Sequence, residues 1–472
     1  MIGLIEDVPR DRIALLEPER GLTVSYGDLI ALVHAAASRL LSVNSGPSLV
    51  FLAPANDLGG VVWYLACLRA GCPVALLEPN LETLTLVAST YRPNVVLLPD
   101  AVAAPPEYLL DPGVGLHGYR LWRAASATAT TNLHPQLAAL LPTSGSTGNP
   151  KLVRLSLSNL SSNATSIREY LGLNGHDRAI QSLPIHYAYG LSVLNSHLAA
   201  GASVVLSSHS FMRPEFWRTV DAMGCTSFAG VPYMYQTLHR LRFNATQHPS
   251  IQTFTQAGGS LSRDLTIHFR DIAVAAHARF FVMYGQTEAT ARISYVPPQR
   301  LSDKLGSIGI PIPGGTLTLQ PVVDQEDLQE LIYKGPNVML GYAASAADLE
   351  RGDVQQGILA TGDLGFVDAD GFYTIVGRLK RFAKLFGRRV NLEDIERFVE
   401  SRAAVVAAAV DGGDRVIVYV ASHQGPLSTP LASELARFLA VPPKAVVLRT
   451  LDAMPMTVTG KKNYKALENA AS

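Results

Sequence analysis

Cysteine is scarce in this sequence: Cys67, Cys72 and Cys225 are all that 472 residues contain. The number is odd and no two form a Cys-x-x-Cys pair, which argues against a disulfide framework and a cysteine-built zinc site. A reducing, cytoplasmic setting is expected. An excess of either charge is also missing, since Lys plus Arg and Asp plus Glu are both 39. That balance argues against a chain-wide footprint for nucleic acid or anionic membrane, leaving room only for a small local basic patch, and no nucleic-acid partner is expected. Long hydrophobic runs are absent too. The most apolar stretch, 61–77, is broken by Arg69, Gly71 and Pro73 and reads as helix, turn and buried strand, so no membrane span is expected. The opening residues, MIGLIEDVPRDR, carry acids and lack the apolar core of a signal peptide. None of the 12 histidines falls in an HExxH-type metal spacing.

What is there is a large apolar fraction, 48% of residues, enough for a sizeable core. The length suggests about two to four domains. Ser25 and Asp28 have capping-box spacing, followed by Leu29, Leu32, Val33, Ala36 and Leu40 at helical intervals. The short apolar runs 48–53, 73–78, 94–99, 202–207 and 279–285 are of buried-strand type. The segment 59–70 between two of them reads as a helix stopped by Gly71. Such alternation predicts an α/β fold with mostly parallel sheets. The Ala-, Pro-, Gly- and Thr-rich segment 101–131 is expected to be a surface excursion. Beyond about residue 378 the pattern changes: a Lys/Arg-rich stretch (377–389), an amphipathic helix NLEDIERFVESR, a strand-like run 414–422, a helix around 431–440 and a strand near 445–449. This predicts a small α+β domain of ordinary size.

The stretch LLPTSGSTGNPK (140–151) has the composition of a phosphate loop. Glycines let backbone approach an anion, while hydroxyls, N–H groups and Lys151 can satisfy phosphate oxygens. It is not a Walker A loop, because Asn149-Pro150 intervenes before the lysine, and a P-loop NTPase is set aside on that ground.

With this loop the sequence resembles the ANL superfamily of adenylate-forming enzymes, which includes acyl- and aryl-CoA synthetases, peptide-synthetase adenylation domains and luciferases. The other motifs of that family follow in order: LPIHYAYGL (183–191), QAGGSL (256–261), MYGQTEAT (283–290), GSIGIPIPGG (306–315), KGPNVMLGY (334–342), TGD (361–363), GRLKR (377–381) and PMTVTGKKNYKAL (455–467). The resemblance covers about residues 23–467. It implies a large N-terminal adenylate-forming domain with mostly parallel sheets (1–379) and a small mobile α+β C-terminal domain (380–472).

The resemblance also implies roles. Thr143, Ser144, Gly145, Ser146, Thr147, Gly148 and Lys151 would hold the β- and γ-phosphates of ATP. Tyr284, with Gly285 beside it, would lie against the adenine, and Gly258, Gly259 and Ser260 along its other side. Thr287 would contact the α-phosphate and Glu288 would hold Mg²⁺, a hard cation suited to oxygen ligands. Asp363 and Arg378 would contact the ribose. Lys461 would be the main catalytic group, a fixed ammonium facing the charge that builds on the α-phosphate. The small domain would pivot at Lys380 between half-reactions, and Gly387 would border the tunnel for the pantetheine thiol. The acyl pocket would be lined by His186, Tyr187, Gly230 and Tyr233. There the sequence departs from the common Pro-x-Phe-His pattern, placing His186 one position early, so that His186 is either pocket lining or a core histidine. Residues 185–191 hold no acid to pair a substrate ammonium, which argues against a free α-amino acid.

Activation of a carboxylic acid as acyl-adenylate, then transfer to coenzyme A, is the expected function. Transfer to the phosphopantetheine of a carrier protein in trans shares every motif and stays open. A non-catalytic nucleotide- or acyl-binding relative is disfavoured by the intact Lys151, Glu288, Asp363, Arg378 and Lys461.

Overall fold

The structure, a computed structural model, describes residues 2–471 apart from 44–45, 47, 114, 126–131, 143–150, 323–324, 380, 386–387, 404, 422–428, 440 and 458–460. The chain divides into two compact units, Met1–Leu317 with Tyr333–Leu359, and Thr318–Ile332 with Ala360–Ser472. The boundary expected at 379/380 falls inside the second unit.

The first unit carries two large sheets. One has nine strands in the order Ile310–Pro311, Ser294–Val296, Arg279–Tyr284, Thr253–Gln256, Ser227–Gly230, Arg178–Ile180, Ser203–Val205, Ile13–Glu17 and Leu22–Ser25. Its interior ladders are parallel, and antiparallel strands flank them at both edges. The other has eight strands, Gly341–Ala343, Leu152–Ser156, Leu137–Pro142, Val74–Leu76, Val50–Leu52, Val95–Pro99, Tyr119–Ala124 and Tyr108–Leu110. Its central ladders are again parallel.

Burial on both faces explains the near-continuous apolar strands. Val50 and Leu52 join a core that also takes in Leu15 and Val204 of the nine-stranded sheet. Phe51 and Ala53, on the opposite face, pack with Leu84, Val87 and Tyr91 of the helix Leu81–Tyr91. The helix Leu58–Arg69 is apolar all round, and each residue from Leu58 to Leu68 is buried, as such a helix must be. Ser25 and Asp28 form the expected capping box at the start of the helix Tyr26–Ser42. The segment 101–131 corrects the sequence expectation. It supplies the strands Tyr108–Leu110 and Tyr119–Ala124, which extend the eight-stranded sheet through antiparallel ladders. Tyr108 and Tyr119 anchor them, both buried beneath a polar exterior that masks the strand pattern.

The second unit is mixed. Most of a four-stranded sheet (Thr316–Val322, Gln325–Lys334, Ile358–Val367, Tyr373–Arg378) lies in it, followed by the hairpin Phe382–Leu385 and Arg388–Asn391. A three-stranded sheet, Val406–Asp411, Val416–Ala421 and Val446–Leu451, is buried on both faces. Ala407, Ala409, Val416 and Val418 pack with the helices Leu392–Arg402 and Thr429–Leu439. Ala408, Val410, Ile417 and Tyr419 pack with Leu467 of the helix Tyr464–Ala471. The expected α/β class, with large N-terminal sheets and a smaller C-terminal domain, is what the structure has. Among the described residues, no helix is long and apolar enough to cross a membrane.

Candidate active site

Parallel strands point their carboxyl ends the same way, and ligands of open α/β sheets bind outside those ends. In the nine-stranded sheet, Gly230 pairs with Gln256 and Gln256 with Val282, so the segments that follow emerge side by side. They carry Tyr233, then Gly258, Gly259 and Ser260, then Tyr284, Gly285, Thr287 and Glu288. The loop 181–187 leaves the neighbouring strand Arg178–Ile180 beside them. Asn56 fixes its course, donating to the carbonyls of Gln181 (3.1 Å) and Leu183 (3.2 Å) and accepting from the Ile185 amide (3.1 Å).

Two glycines in this cluster are required by geometry. Gly258 has φ +87°, and a Cβ there would lie 2.6 Å from the Tyr187 hydroxyl. Gly285 lies so close to the Ala291 carbonyl oxygen that any Cβ would overlap it. Tyr187, not His186, is therefore the side chain whose hydroxyl reaches the 256–260 loop. Burial pushes that hydroxyl up to about 12, against the opposing charge of Arg292. His186 is largely buried, with the Pro54 carbonyl as the polar group nearest its ring. Burial drives its pKa down to about 4, only partly offset by the nearby Pro54 carbonyl, so the ring is neutral near pH 7.

The turn bearing Thr287 and Glu288 is unusual backbone held from outside. Thr287–Ala289 form one 3₁₀ turn, after which Thr290 (φ +57°) and Ala291 (φ +121°) take positive φ without being glycine. Asn337, 1% exposed, clamps this stretch. Its amide nitrogen donates to the carbonyls of Ala289 and Arg292, both at 2.7 Å. Its side-chain oxygen accepts from the Tyr333 hydroxyl at 2.7 Å, and its backbone oxygen accepts from the Thr290 hydroxyl at 2.6 Å. The Met339 amide then donates to the Glu288 carbonyl at 2.8 Å. The segment 334–342, whose motif reads as structural in sequence, is thus what shapes the Thr287–Glu288 turn.

Tyr342 joins this turn to the phosphate-loop lysine. Its hydroxyl donates to Glu288 Oε1 at 2.7 Å, and Lys151 Nζ lies 5.7 Å from its ring centroid. Pairing of Gly341–Ala343 with Leu152–Ser156 sets this placement. Burial and the Glu288 charge together raise the Tyr342 pKa, keeping the phenol protonated as a donor. Thr143, Ser144, Gly145, Ser146, Thr147 and Gly148 lie outside the described residues. Among the described residues, no three acidic, His or Cys side chains gather to hold a metal. Glu288 nevertheless suits Mg²⁺, which is typically held by one or two carboxylates together with substrate phosphates. Its Oε2 accepts no hydrogen bond among the described residues.

The remaining expected residues lie in the second unit. Asp363, fully buried, is cross-strand partner to Arg378, whose Nε is 2.7 Å from Asp363 Oδ1. Lys461 is tied to Thr457: Thr457 Oγ1 accepts from the Lys461 amide at 3.1 Å and the Thr457 amide donates to the Lys461 carbonyl at 2.7 Å. Lys380 and Gly387 lie outside the described residues. A carboxylate that the sequence did not single out, Glu396, ties flanking segments together. Its oxygens accept from Arg381 (2.6 Å), the Ala409 amide (2.9 Å), Lys462 (3.0 Å) and the Tyr464 hydroxyl (3.0 Å). Sequence reading also passed over Tyr342, Asn337, Tyr189 and Arg292. The only available signal for Arg292 was a lone charge amid the small and apolar residues of 289–296.

Two large sheets sharing a core, with the motif-bearing loops at the strand ends, make the fold of an ANL-type protein. ATP-bound MatB from Rhodopseudomonas palustris has the same fold, with a TM-score of 0.81 at 23% identity over 99% of this chain and 97% of that one. The model of the AMP-binding enzyme family matches residues 5–343. Oxalate–CoA ligase of Arabidopsis thaliana is 26% identical, covering 97% of this chain and 96% of the relative. 2-Succinylbenzoate–CoA ligase of Bacillus subtilis (strain 168) is 27% identical, covering 98% and 95%. The chain belongs to the AMP-binding enzyme family, within the ANL superfamily, and is an AMP-forming acid–thiol ligase.

Proposed function

We propose that this enzyme joins a carboxylic acid to ATP with Mg²⁺, releases pyrophosphate, and passes the acyl group to the thiol of coenzyme A. The observation that carries this reading is the convergence of Lys151 and Glu288 on Tyr342. A phosphate-binding cation and a metal-binding carboxylate then meet at one tyrosine, where the edge strand of the eight-stranded sheet adjoins the turn that follows Arg279–Tyr284.

In the first half-reaction a carboxylate oxygen of the acid attacks the α-phosphorus. The new P–O bond forms as the bond to the bridging oxygen breaks, and pyrophosphate leaves. Mg²⁺ on Glu288 would supply charge neutralisation for the phosphate oxygens. Thr143, Ser144, Gly145, Ser146, Thr147, Gly148 and Lys151 hold the β- and γ-phosphates, and Thr287 the α-phosphate. Tyr284 and Gly258, Gly259 and Ser260 flank the adenine. Asp363 and Arg378 hold the ribose, and Lys461 stabilises the charge that develops at phosphorus. In the second half-reaction the thiol sulfur attacks the acyl carbonyl, its proton goes to solvent, and AMP departs. The unit from 380 onward pivots at Lys380 between the steps, and Gly387 keeps the thiol path open.

The test is acid-dependent exchange of labelled pyrophosphate into ATP across a panel of carboxylic acids, followed by thioester assay with coenzyme A and, separately, with a phosphopantetheinylated carrier protein. Exchange with no acid would refute activation. Thioester formed on the carrier but not on coenzyme A would move the acceptor to a carrier protein.

A further inference from the structure

Arg154 is fully buried, on the strand Leu152–Ser156 that starts directly after Lys151. Among the described residues, every hydrogen-bond partner of its side chain is a main-chain carbonyl. Nε donates to Tyr342 at 3.3 Å, and Nη2 to Leu340 and Gly352, both at 3.2 Å. Nη1 donates to Arg351. Four of the five N–H donors of the guanidinium are thereby used. A buried cation needs such satisfaction, and here it comes from the backbone of two segments remote in sequence.

The segments it grips matter because of Tyr342. The strand Gly341–Ala343 is the edge of the eight-stranded sheet, and three cross-strand pairs with Leu152–Arg154 fix it from one side only. The guanidinium holds the carbonyls on either side of Gly341 and, at the same time, those of Arg351 and Gly352 on the returning chain. The strand that carries Tyr342 is thus clamped between the strand after Lys151 and the 351–352 segment. Gly341 makes room for this. It has φ +133°, and a Cβ there would lie 2.9 Å from Arg154 Nη2. Beyond the clamp, the Tyr342 hydroxyl reaches Glu288 and its ring faces Lys151.

We propose that Arg154 is a positioning residue for adenylation. By fixing the main chain at Tyr342 it sets the separation of Lys151 from Glu288, and so the grip on the β- and γ-phosphates and on Mg²⁺, while touching none of them. This rests on the ligase reading above, which gives Lys151 and Glu288 those tasks. The planar fork is what the role requires, since an ammonium is a single point and cannot hold carbonyls on two segments in the same geometry. Acyl transfer to the thiol begins from an adenylate that has already lost pyrophosphate, so that half-reaction makes no call on Arg154.

The test uses the full-length enzyme, an acid that supports pyrophosphate exchange, and the synthetic adenylate of that acid. Arg154→Met should raise the Mg²⁺ concentration for half-maximal exchange by about tenfold, the low end for a group that orients a metal ligand from outside. Thioester formation from the supplied adenylate and coenzyme A should stay within about twofold of wild type. Tyr342→Phe should shift the Mg²⁺ curve in the same direction. The double variant Arg154→Met with Tyr342→Phe should shift it no further than the larger single shift, because both act along one route. Arg154→Lys should fall between wild type and Arg154→Met, and it carries the same comparisons if Arg154→Met does not fold. Equal loss in both half-reactions, or a double variant whose shift is the product of the single ones, overturns the proposal and leaves Arg154 a general prop of the sheet. Wild-type enzyme that exchanges pyrophosphate with no acid sinks the ligase reading, and this inference falls with it.

Discussion

Asn337→Ala is the sharpest probe of how the site is held. Alanine removes three hydrogen bonds, to the Ala289 and Arg292 carbonyls and from the Tyr333 hydroxyl. Each buried polar group left unsatisfied costs about 1–3 kcal/mol. Water entering the vacated space would recover part of that, so a net loss of about 3–5 kcal/mol is expected. The functional effect should be larger than general destabilisation explains. Without the clamp, Thr290 and Ala291 can relax from positive φ, and the Thr287–Glu288 turn loses its shape. Pyrophosphate exchange should slow by about tenfold or more, with weaker apparent Mg²⁺ affinity, at temperatures where the variant stays folded. Asn337→Asp keeps the acceptor for Tyr333 but turns an oxygen toward two carbonyls, and should be at least as damaging. Thermal unfolding and Mg²⁺ titrations of exchange read both effects. The reasoning fails if Asn337→Ala unfolds within about 0.5 kcal/mol of wild type, or if Asn337→Asp retains normal Mg²⁺ dependence.

Lys461→Ala should leave ATP binding nearly intact and cut adenylate formation by on the order of a hundredfold or more; a loss confined to ATP affinity would make it a ground-state contact. Glu288→Gln should raise the Mg²⁺ concentration needed for half-maximal exchange, and an unchanged Mg²⁺ curve would place the metal elsewhere. Lys380→Pro fixes φ at the expected pivot. Adenylation should persist while thioester formation collapses, and Lys380→Ala should spare both; equal loss of both steps in the proline variant would count against a pivot there. For His186 the sign is set by its lowered pKa. The folded ring resists protonation down to about pH 4, whereas the unfolded ring takes up a proton near 6.5. Stability should fall as pH drops through that window, by up to about 3 kcal/mol. His186→Phe should flatten the fall, and identical shifts in unfolding midpoint between pH 7.5 and 5 would show that His186 is not the group responsible.

The parts of the fold visible in the sequence are those with local periodicity. The runs at 48–53, 73–78, 94–99 and 202–207 become Val50–Leu52, Val74–Leu76, Val95–Pro99 and Ser203–Val205, because strands buried on both faces must be apolar throughout. The capping box at Ser25 needs only residues three apart. The strands Tyr108–Leu110 and Tyr119–Ala124 were hidden because an edge strand is half solvated, leaving Leu109 and Leu110 exposed amid Pro, Gly and Asp. At the site, motif residues were found where chemistry requires a residue type at a fixed spacing, as in the 283–290 segment. The supporting residues were not. Asn337 acts on a turn 45 or more positions earlier, and Tyr342 on Glu288 across 54. Nothing in their own neighbourhoods marks such partnerships.

The Glu396 anchor bears on how enzymes of this kind can be recombined. One carboxylate receives donors from Arg381, just past the expected pivot, and from Lys462 and Tyr464, just past Lys461. If the chain pivots at Lys380 as proposed, these bonds would tie the segment carrying Lys461 to the segment at 381. A chimera that exchanges residues 381–471 as a block carries donors and acceptor together. A crossover placed between the helix Leu392–Arg402 and Lys462 would pair Glu396 with a foreign hairpin. Where that hairpin lacks the lysine and tyrosine, Glu396 keeps Arg381 and the Ala409 amide but its Oε2 loses both donors, a cost of about 1–3 kcal/mol. Exchanges that cut between Glu396 and Lys462 should therefore fail more often than exchanges of 381–471 as a block.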